Sequence, residues 1–143
     1  MRVVLDTNVL VSALISAGGP PAKLLDAWRA QRFTLVSSSE QLEEFRAVTR
    51  HPKLRVFVQR TEAGRFVRQL RIHALVLQRL PRVDRSSDPA DNFLLAMAEA
   101  ASADYLVSGD RRGVLALKTH EGTHIISARD MLAVLSIKTS GTS

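Results

Sequence analysis

The feature that most constrains the fold is an alternation along the chain between short apolar runs and longer segments with helical periodicity. In the short runs, apolar and β-branched residues occupy consecutive positions, which is typical of strands buried on both faces. Helical segments between such strands are typical of the crossovers of a parallel sheet. The alternation therefore predicts an α/β fold, a three-layer α/β/α sandwich with a central, mainly parallel sheet. The runs that predict strands are Val3–Leu5, Thr34–Val36, Tyr105–Val107 and His124–Ile126.

Capping residues and helix breakers place helices between these strands. Asp88 is the expected N-cap of one of them, with Pro89 at its first helical position. In the first half of the chain, the signals predict a helical turn after Leu5, a helix after Gly18–Pro21, and a helix capped within Ser37–Glu40 and ended by Pro52. Two helices with a boundary near Thr61 are predicted before Pro81. The last two predicted helices run from Asp88 through Ala101 and over Ser127–Leu135.

Length and composition favour one globular domain. A chain of 143 residues is ordinary for a single domain, and an apolar content of 45% excludes a disordered chain. The absence of cysteine excludes a disulfide framework, a thiolate nucleophile and a cysteine zinc site. No apolar run approaches the ~20 residues that span a bilayer, so we expect a cytoplasmic protein with no membrane partner. We assign residues 1–136 to the domain and residues 137–143 to a short polar tail.

Basic residues are concentrated in the middle of the chain. The formal net charge is +6, and Arg46–Arg85 holds eleven Lys and Arg residues against Glu62 and Asp84. Arginine suits phosphate, because its guanidinium group donates two parallel hydrogen bonds and stays charged. The segment therefore indicates a polyanion partner, with a solvated helix surface as the alternative. Phe57 and Phe66 are the aromatic candidates nearby for stacking on bases.

Carboxylates occur where the predicted strands and helices meet. Asp6 directly follows the first strand, and Asp110 follows the third strand within Ser108–Asp110. The carboxyl ends of parallel strands meet at one edge of a sheet, which is where active sites of open α/β sheets lie. Asp91 lies in the first turn of its helix and in register with the apolar positions that face the sheet.

The helix after the second strand offers three glutamates, which helical geometry separates. At about 100° per residue, Glu40 and Glu43 point roughly 150° from the centre of the apolar face, and Glu44 about 110° from it. Glu44 is therefore the glutamate best placed to reach the edge where Asp6 lies. Carboxylates in one pocket repel one another unless a cation lies between them, and Mg²⁺ or Mn²⁺ is the cation that their oxygens favour.

Four motifs in order along the chain carry a family resemblance: Asp6–Leu14, Ser38–Phe45, Asp88–Asn92 and Ser108–Asp110. With these motifs the chain resembles the PIN domain over about Val3 to Leu135, and most resembles the VapC-like toxins of bacterial toxin–antitoxin systems. The resemblance implies a metal-dependent endoribonuclease with Mg²⁺ or Mn²⁺ as cofactor. The catalytic and metal-binding residues that it implies are Asp6, Glu44, Asp91 and Asp110, supported by Asn8 and Ser108.

Other expectations accompany this assignment. The resemblance implies an RNA substrate, a cognate antitoxin protein and a homodimer. Asp88 is an alternative to Asp91 as the carboxylate at the metal site, although its position as a helix N-cap already accounts for an aspartate there. We expect Arg65, Arg68 and Arg71 to hold the RNA backbone beside the acidic cleft.

The expected reaction is hydrolysis by water on the metal, which leaves a 5′-phosphate and a 3′-hydroxyl. The reason is that the chain has no cysteine and no histidine placed by motif beside the acidic residues, so a base for attack by the ribose 2′-hydroxyl is missing.

Three competing interpretations remain open at this point. His120 and His124 flank a glutamate as in zinc proteases, but Gly122 and the following strand disfavour the helix that such a site requires. An aspartyl phosphatase would have a second Asp where this chain has Asn8. A non-catalytic RNA-binding or interaction module is the alternative to an enzyme, although such a module would gain by losing its carboxylates.

Overall fold

The computed structural model describes the backbone of residues 1–142 and the side chains of residues 1–136. Within them, six strands form one sheet in the order β3-β2-β1-β4-β6-β5. All neighbouring pairs are parallel except β5 and β6, which form an antiparallel hairpin. The strands are β1 Arg2–Leu5, β2 Thr34–Ser38, β3 Leu75–Leu77, β4 Tyr105–Val107, β5 Thr119–His120 and β6 Thr123–Ile126.

Helices connect β1 to β2, β2 to β3 and β3 to β4, and a last helix follows β6. They are α1 Thr7–Ile15, α2 Pro20–Arg29, α3 Ser39–Arg50, α4 Pro52–Arg55, α5 Arg60–His73, α6 Asn92–Ala100 and α7 Ala128–Thr142. Short 3₁₀ turns lie at Pro89–Asp91 and Val114–Leu117. In the part of the chain that the structure describes, no helix is long and apolar enough to span a membrane.

Both faces of the sheet are covered, which confirms the predicted three-layer α/β/α architecture. Side chains alternate across the strands, so Val3 and Leu5 point to one face and Val4 to the other. The first face packs against α1, α2, α3, α5 and α7, with Leu10, Leu24 and Phe45 fully buried among them. The second face packs mainly against α6, whose apolar residues around Leu95 and Met97 are fully buried.

The structure corrects the region between Pro52 and Pro81, which we expected to be entirely helical. Leu75–Leu77 forms strand β3 at the edge of the sheet, and it follows α5 after a single residue. The helix boundary lies at residues 56–59, a few residues before Thr61. An apolar run of three residues cannot be distinguished from the end of a helix by periodicity alone, so β3 was missed.

Several helix boundaries in the structure are sharper than, or differ from, the predicted ones. The N-cap of α3 is Ser38, within the predicted range Ser37–Glu40, and its Oγ accepts a hydrogen bond from the Gln41 N–H at 3.1 Å. Asp88 does cap a helical turn, but that turn is 3₁₀ and α6 starts at Asn92. The closing helix continues to Thr142. The side chains of the predicted tail at 137–143 lie outside the described residues, so the domain boundary at 136 stays a prediction.

Candidate active site

Asp6 is fixed at the carboxyl end of β1 by its neighbour β4. The strands pair with Leu5 opposite Val107, and the Asp6 N–H donates to the Val107 carbonyl at 2.9 Å. The Ser108 hydroxyl donates to Asp6 Oδ2 at 2.9 Å, and the Asn8 N–H donates to Asp6 Oδ1 at 3.1 Å. The side chain of Asp6 is therefore buried and held in one orientation, with Ser108 and Asn8 as its immediate partners.

Asp110 is connected to Asp6 through the same serine. The Asp110 N–H donates to Ser108 Oγ at 3.2 Å. Its Oδ1 accepts hydrogen bonds from the N–H groups of Arg112 and Gly113, each at 3.1 Å. These backbone donors occupy one carboxylate oxygen and leave Oδ2 available on an exposed side chain.

Gly113 lies against two of the carboxylates. A Cβ atom at this position would collide with Asp110 Oδ2 and would lie 3.3 Å from Asp91 Oδ2. The Asp91 and Asp110 carboxylates therefore approach each other beside this glycine. A glycine here keeps the space between them free, and its position three residues after Asp110 is a signal that our sequence analysis did not use.

The segment that carries Asp91 is anchored by Asn92. The Asn92 Oδ1 accepts hydrogen bonds from the N–H groups of Arg85 at 3.1 Å and Ser86 at 2.8 Å. The Ser87 hydroxyl donates to the Arg112 carbonyl at 3.1 Å, which ties this segment to the loop after Asp110. Asp88 caps the 3₁₀ turn by accepting from the Ala90 N–H at 3.0 Å.

Glu44 reaches the same edge from α3. It is half-buried, whereas Glu40 and Glu43 are exposed. Gln41 fixes the start of α3 against β1, because its Nε2 donates to the Leu5 carbonyl at 2.6 Å and its Oε1 accepts from the Ser37 hydroxyl at 2.7 Å. Gln41 precedes Phe45 by one helical turn, so its place on the buried face could have been read from the sequence.

The pKa values of three carboxyl groups are raised, first by burial and then by the charges of neighbouring carboxylates. We call Asp6, Glu44, Asp91 and Asp110 the acidic edge. Burial, with the charges of Asp6, Asp88 and Asp110, raises the pKa of Asp91 from 3.8 to about 6. Burial also raises the pKa of Glu44, and the charges of Asp6 and Asp91 add to the rise.

Asp6 belongs to the same electrostatic group. Burial raises its pKa, and the charge of Asp110 adds to the rise, while hydrogen bonds from Asn8 and Ser108 oppose it. None of the members of the acidic edge pairs with a Lys, Arg or His side chain among the described residues. Like charges that are partly buried without a counter-charge are unfavourable, so a bound cation would stabilise this edge.

We tested whether these residues fit a divalent metal ion. Among the described residues, no group of three or more His, Cys, Asp or Glu side chains is arranged to hold one, so the expectation that the acidic edge lies within one or two metal–ligand spans stays a prediction.

Two observations nevertheless fit a hard cation. The donors are all oxygen atoms, the ligands that Mg²⁺ and Mn²⁺ prefer. The Thr7 hydroxyl is fully buried and close to Glu44, where it opposes the rise in the pKa of that carboxyl group, yet no hydrogen bond of good geometry satisfies it. An unsatisfied buried hydroxyl beside crowded carboxylates fits a site that is completed by an ion or its water.

An open cleft gives access to this edge. Its volume is about 420 Å³, and it lies between the start of α1, the loop after β4 and the start of α7. Asp6, Asn8, Ser108 and Asp110 line it. A substrate could therefore approach Asp6 and Asp110 directly from solvent.

The histidine pair flanking Glu121 forms no zinc site. His120 and His124 lie on the two strands of the β5–β6 hairpin instead of on one helix. His120 Nε2 faces Glu99 Oε1 at 3.2 Å, and its Nδ1 lies 3.0 Å from Arg85 Nη1. Because arginine can only donate, Nδ1 accepts and the proton is on Nε2. His120 therefore supports the segment that begins at Arg85.

The predicted RNA-binding arginines do not share one surface. Arg65 and Arg68 line a groove of about 630 Å³ with Ile72, against α1. Arg71 lines a different cleft, of about 510 Å³, with Ser39 and Glu43. Each three-residue step turns the side chain by about −60°, so Arg71 points about 120° away from Arg65. Neither opening includes a member of the acidic edge.

Comparison with known proteins agrees with this architecture. Residues 2–112 match the PIN domain family. The "Uncharacterized protein MJ1680" of Methanocaldococcus jannaschii is 38% identical over 58 residues, which are 41% of this chain and 37% of the relative. The match thus spans little more than a third of that relative's length. No solved structure matches the chain.

Proposed function

This chain belongs to the PIN domain family, and from that premise we propose that it is an endoribonuclease that requires a divalent metal ion. PIN domains are generally metal-dependent nucleases, so membership of the family implies nuclease activity and nucleic-acid binding in general. The observation that carries the finer proposal is the acidic edge itself. Asp6, Glu44 and Asp91 have raised pKa values, and no member of the edge has a basic partner among the described residues.

The acidic edge is the proposed metal site. Asp6, Asp91 and Asp110 would hold Mg²⁺ or Mn²⁺, with Glu44 and Thr7 completing the set of oxygen donors. When bound, such an ion polarises the phosphodiester and makes hydroxide available from water at neutral pH. The typical use of divalent ions by PIN domains supports a metal. The proposal of Mg²⁺ or Mn²⁺ in particular rests on the oxygen donors, which suit both ions.

Hydrogen bonds within the chain hold two of these carboxylates in place. Ser108 and the Asn8 N–H hold Asp6 in a fixed orientation, and the N–H groups of Arg112 and Gly113 hold Asp110. Asp91 is mostly ionised at neutral pH, since its pKa of about 6 lies below 7, and it can therefore serve as an oxygen ligand. No cysteine is available as a nucleophile, which supports direct attack by water.

Product analysis tests this proposal. Cleavage of RNA should stop in EDTA and return with Mg²⁺ or Mn²⁺, and the products should carry 5′-phosphate and 3′-hydroxyl ends. Cyclic 2′,3′-phosphate ends, or cleavage that persists in EDTA, would contradict it. The alternative, a non-catalytic RNA-binding or interaction module, predicts binding without cleavage under every metal condition.

The biological setting is a second part of the proposal. We propose that the chain is the cytoplasmic toxin of a toxin–antitoxin system, that it forms a homodimer, and that a cognate antitoxin protein inhibits it. The resemblance of its motifs to VapC-like toxins supports this setting. Growth arrest on expression of the wild-type chain, with none for the Asp6→Asn variant, is the expected result, and harmless expression of an active enzyme would contradict it.

A further inference from the structure

The turn between α4 and α5 exposes two apolar side chains in the most basic part of the chain. Val56 is 83% exposed and Phe57 is 59% exposed, whereas Phe66 is buried and cannot contact a ligand. We call residues 50–60 the basic tip. Its exposed cations are Arg50, Lys53, Arg55 and Arg60, and no Asp or Glu occurs between Arg46 and Thr61.

The backbone of the basic tip holds Phe57 outward. The N–H groups of Phe57 and Val58 both donate to the Leu54 carbonyl, at 3.0 and 2.8 Å. Val58 is buried with 1% exposure and anchors the turn, so its neighbour Phe57 faces solvent. His51 Nδ1 accepts from the Lys53 N–H at 3.3 Å and caps α4. An aromatic ring displayed on a hydrogen-bonded turn is preorganised for contact with a partner.

The basic tip begins at the end of α3, the helix that carries Glu44. Arg50, the last residue of α3, follows Glu44 by six residues and so lies about 9 Å farther along the helix axis. About three nucleotides of a stacked strand span that distance, at ~3.4 Å each. A basic cleft of about 380 Å³, lined by Arg46, Arg50 and Arg60, adjoins the tip between α3 and α5.

We propose that the basic tip is a stacking site for single-stranded RNA, in which the Phe57 ring stacks on a base and the surrounding cations bind the adjacent phosphates. This inference rests on the proposed ribonuclease function. Alternating cations and an exposed aromatic ring are the two components of sequence-tolerant single-strand sites. A second copy of the chain fits this surface less well, because a symmetric contact would bring two sets of like charges together.

A binding experiment on the full chain in EDTA tests the proposal. The probe is a fluorescent unstructured RNA of about 12 nucleotides, within the ~4–16 nucleotides that single-strand sites cover. Fluorescence anisotropy over a range of salt gives the affinity and its salt dependence. Phe57→Ala should weaken binding about tenfold and leave the slope of log K against log salt unchanged, because stacking releases no counterions.

Three further variants separate stacking from other roles of Phe57. Phe57→Trp should keep or strengthen binding, and Phe57→Leu should behave like Phe57→Ala because it lacks a ring. Ile15→Ala is the matched control, since Ile15 is an exposed apolar side chain at the end of α1 and lines none of the openings that contain the arginines. It should bind as the wild type does.

Several results would overturn the inference. The first is an unchanged RNA affinity of Phe57→Ala, and the second is a wild-type RNA affinity of Phe57→Leu. The third is a Phe57→Ala variant that changes sedimentation or binding to anionic vesicles but leaves RNA binding unchanged. Metal-dependent cleavage of the same RNA by the wild type is recorded separately. If cleavage is intact and the Phe57 variants bind normally, only the stacking site is refuted; if the wild type neither binds nor cleaves RNA, the proposed function fails as well.

Discussion

The acidic edge and the arginines of α5 carry opposite charges and are held in place by different means. Asp6 and Asp110 are fixed by Ser108 and by backbone N–H groups at the ends of adjacent strands. Arg65 and Arg68 extend from an exposed helical face, and neither side chain forms an ion pair within the described part of the chain. One region is a set of positioned anions, and the other is a set of solvated cations.

This difference suggests a division of roles. Burial, together with the neighbouring carboxylate charges, raises the pKa of Glu44 and Asp91, so the acidic edge is unfavourable without a cation and suited to bind one. Solvated arginines have no such strain, and they suit phosphates that must bind and leave. The account therefore assigns metal chemistry to the acidic edge and backbone binding to the cations.

The largest expected effect comes from removing one charge at the acidic edge. Asp6→Asn should lower the rate of RNA cleavage about a thousandfold, on the order of 4 kcal/mol of transition-state stabilisation, with the fold unchanged by circular dichroism. Asp88→Asn is the matched control, because asparagine caps a helix as well as aspartate does. It should stay within a few-fold of the wild type; an equal loss in Asp88→Asn would include that residue in the site.

A smaller loss should follow when the space between Asp91 and Asp110 is filled. Gly113→Ala would push a Cβ atom against Asp110 Oδ2, and we expect roughly 10–100-fold lower metal affinity or activity, as for other residues that orient metal ligands. Gly109→Ala is the control, since no atom lies within 4 Å of its added Cβ. Wild-type cleavage by Gly113→Ala would show that the two carboxylates need not be close.

Neutralising the α5 arginines should have a moderate effect on RNA binding. The same variants test whether RNA contacts the groove of Arg65 and Arg68 or the cleft of Arg71. Arg65→Gln with Arg68→Gln should flatten the salt slope of RNA binding by about 1.4, from ~0.7 per phosphate contact on a single strand. Arg71→Gln, on the other cleft, reports on that surface alone. If only Arg71→Gln changes the slope, RNA follows the cleft beside Ser39; if neither does, the arginines of α5 are a solvated surface.

The smallest expected effect concerns stability and pH in the absence of metal. The pKa of Asp91 is raised from 3.8 to about 6, so the folded chain binds more protons than the unfolded chain between these pH values. Stability should therefore fall as the pH rises through this range. At pH 7 with EDTA, Asp91→Asn should raise Tm by a few degrees, and the difference should disappear below about pH 3.8. A lower Tm for the variant at pH 7 would mean that the Asp91 charge is stabilising.

The features that could be predicted from the sequence are those that depend on the position of a residue within its own strand or helix. Strand ends place Asp6 and Asp110 at one edge, and helical phase distinguishes Glu44 from Glu40 and Glu43. The three-layer fold followed from fully apolar strands, because only a sheet covered on both faces buries them.

The features that were missed depend on contacts between distant segments. Strand β3 is recognisable only through its pairing with β2, and the Arg85–His120–Glu99 contacts join residues that no periodicity relates. The spacing of the carboxylates and the unsatisfied Thr7 hydroxyl are likewise three-dimensional properties. The division of Arg65 and Arg71 between two clefts could have been foreseen from helical phase.

The central claim, that the acidic edge is a divalent metal site, is tested most directly by measuring Mn²⁺ binding to the full chain at pH 7 without RNA. Titration calorimetry, with electron paramagnetic resonance of free Mn²⁺ as a second readout, would compare the wild type with Asp91→Asn and with the Arg65→Gln, Arg68→Gln double variant. The account predicts saturable binding by the wild type, strong loss in Asp91→Asn and no loss in the arginine variant. Equal Mn²⁺ binding by the wild type and Asp91→Asn, or no binding by either, would contradict it.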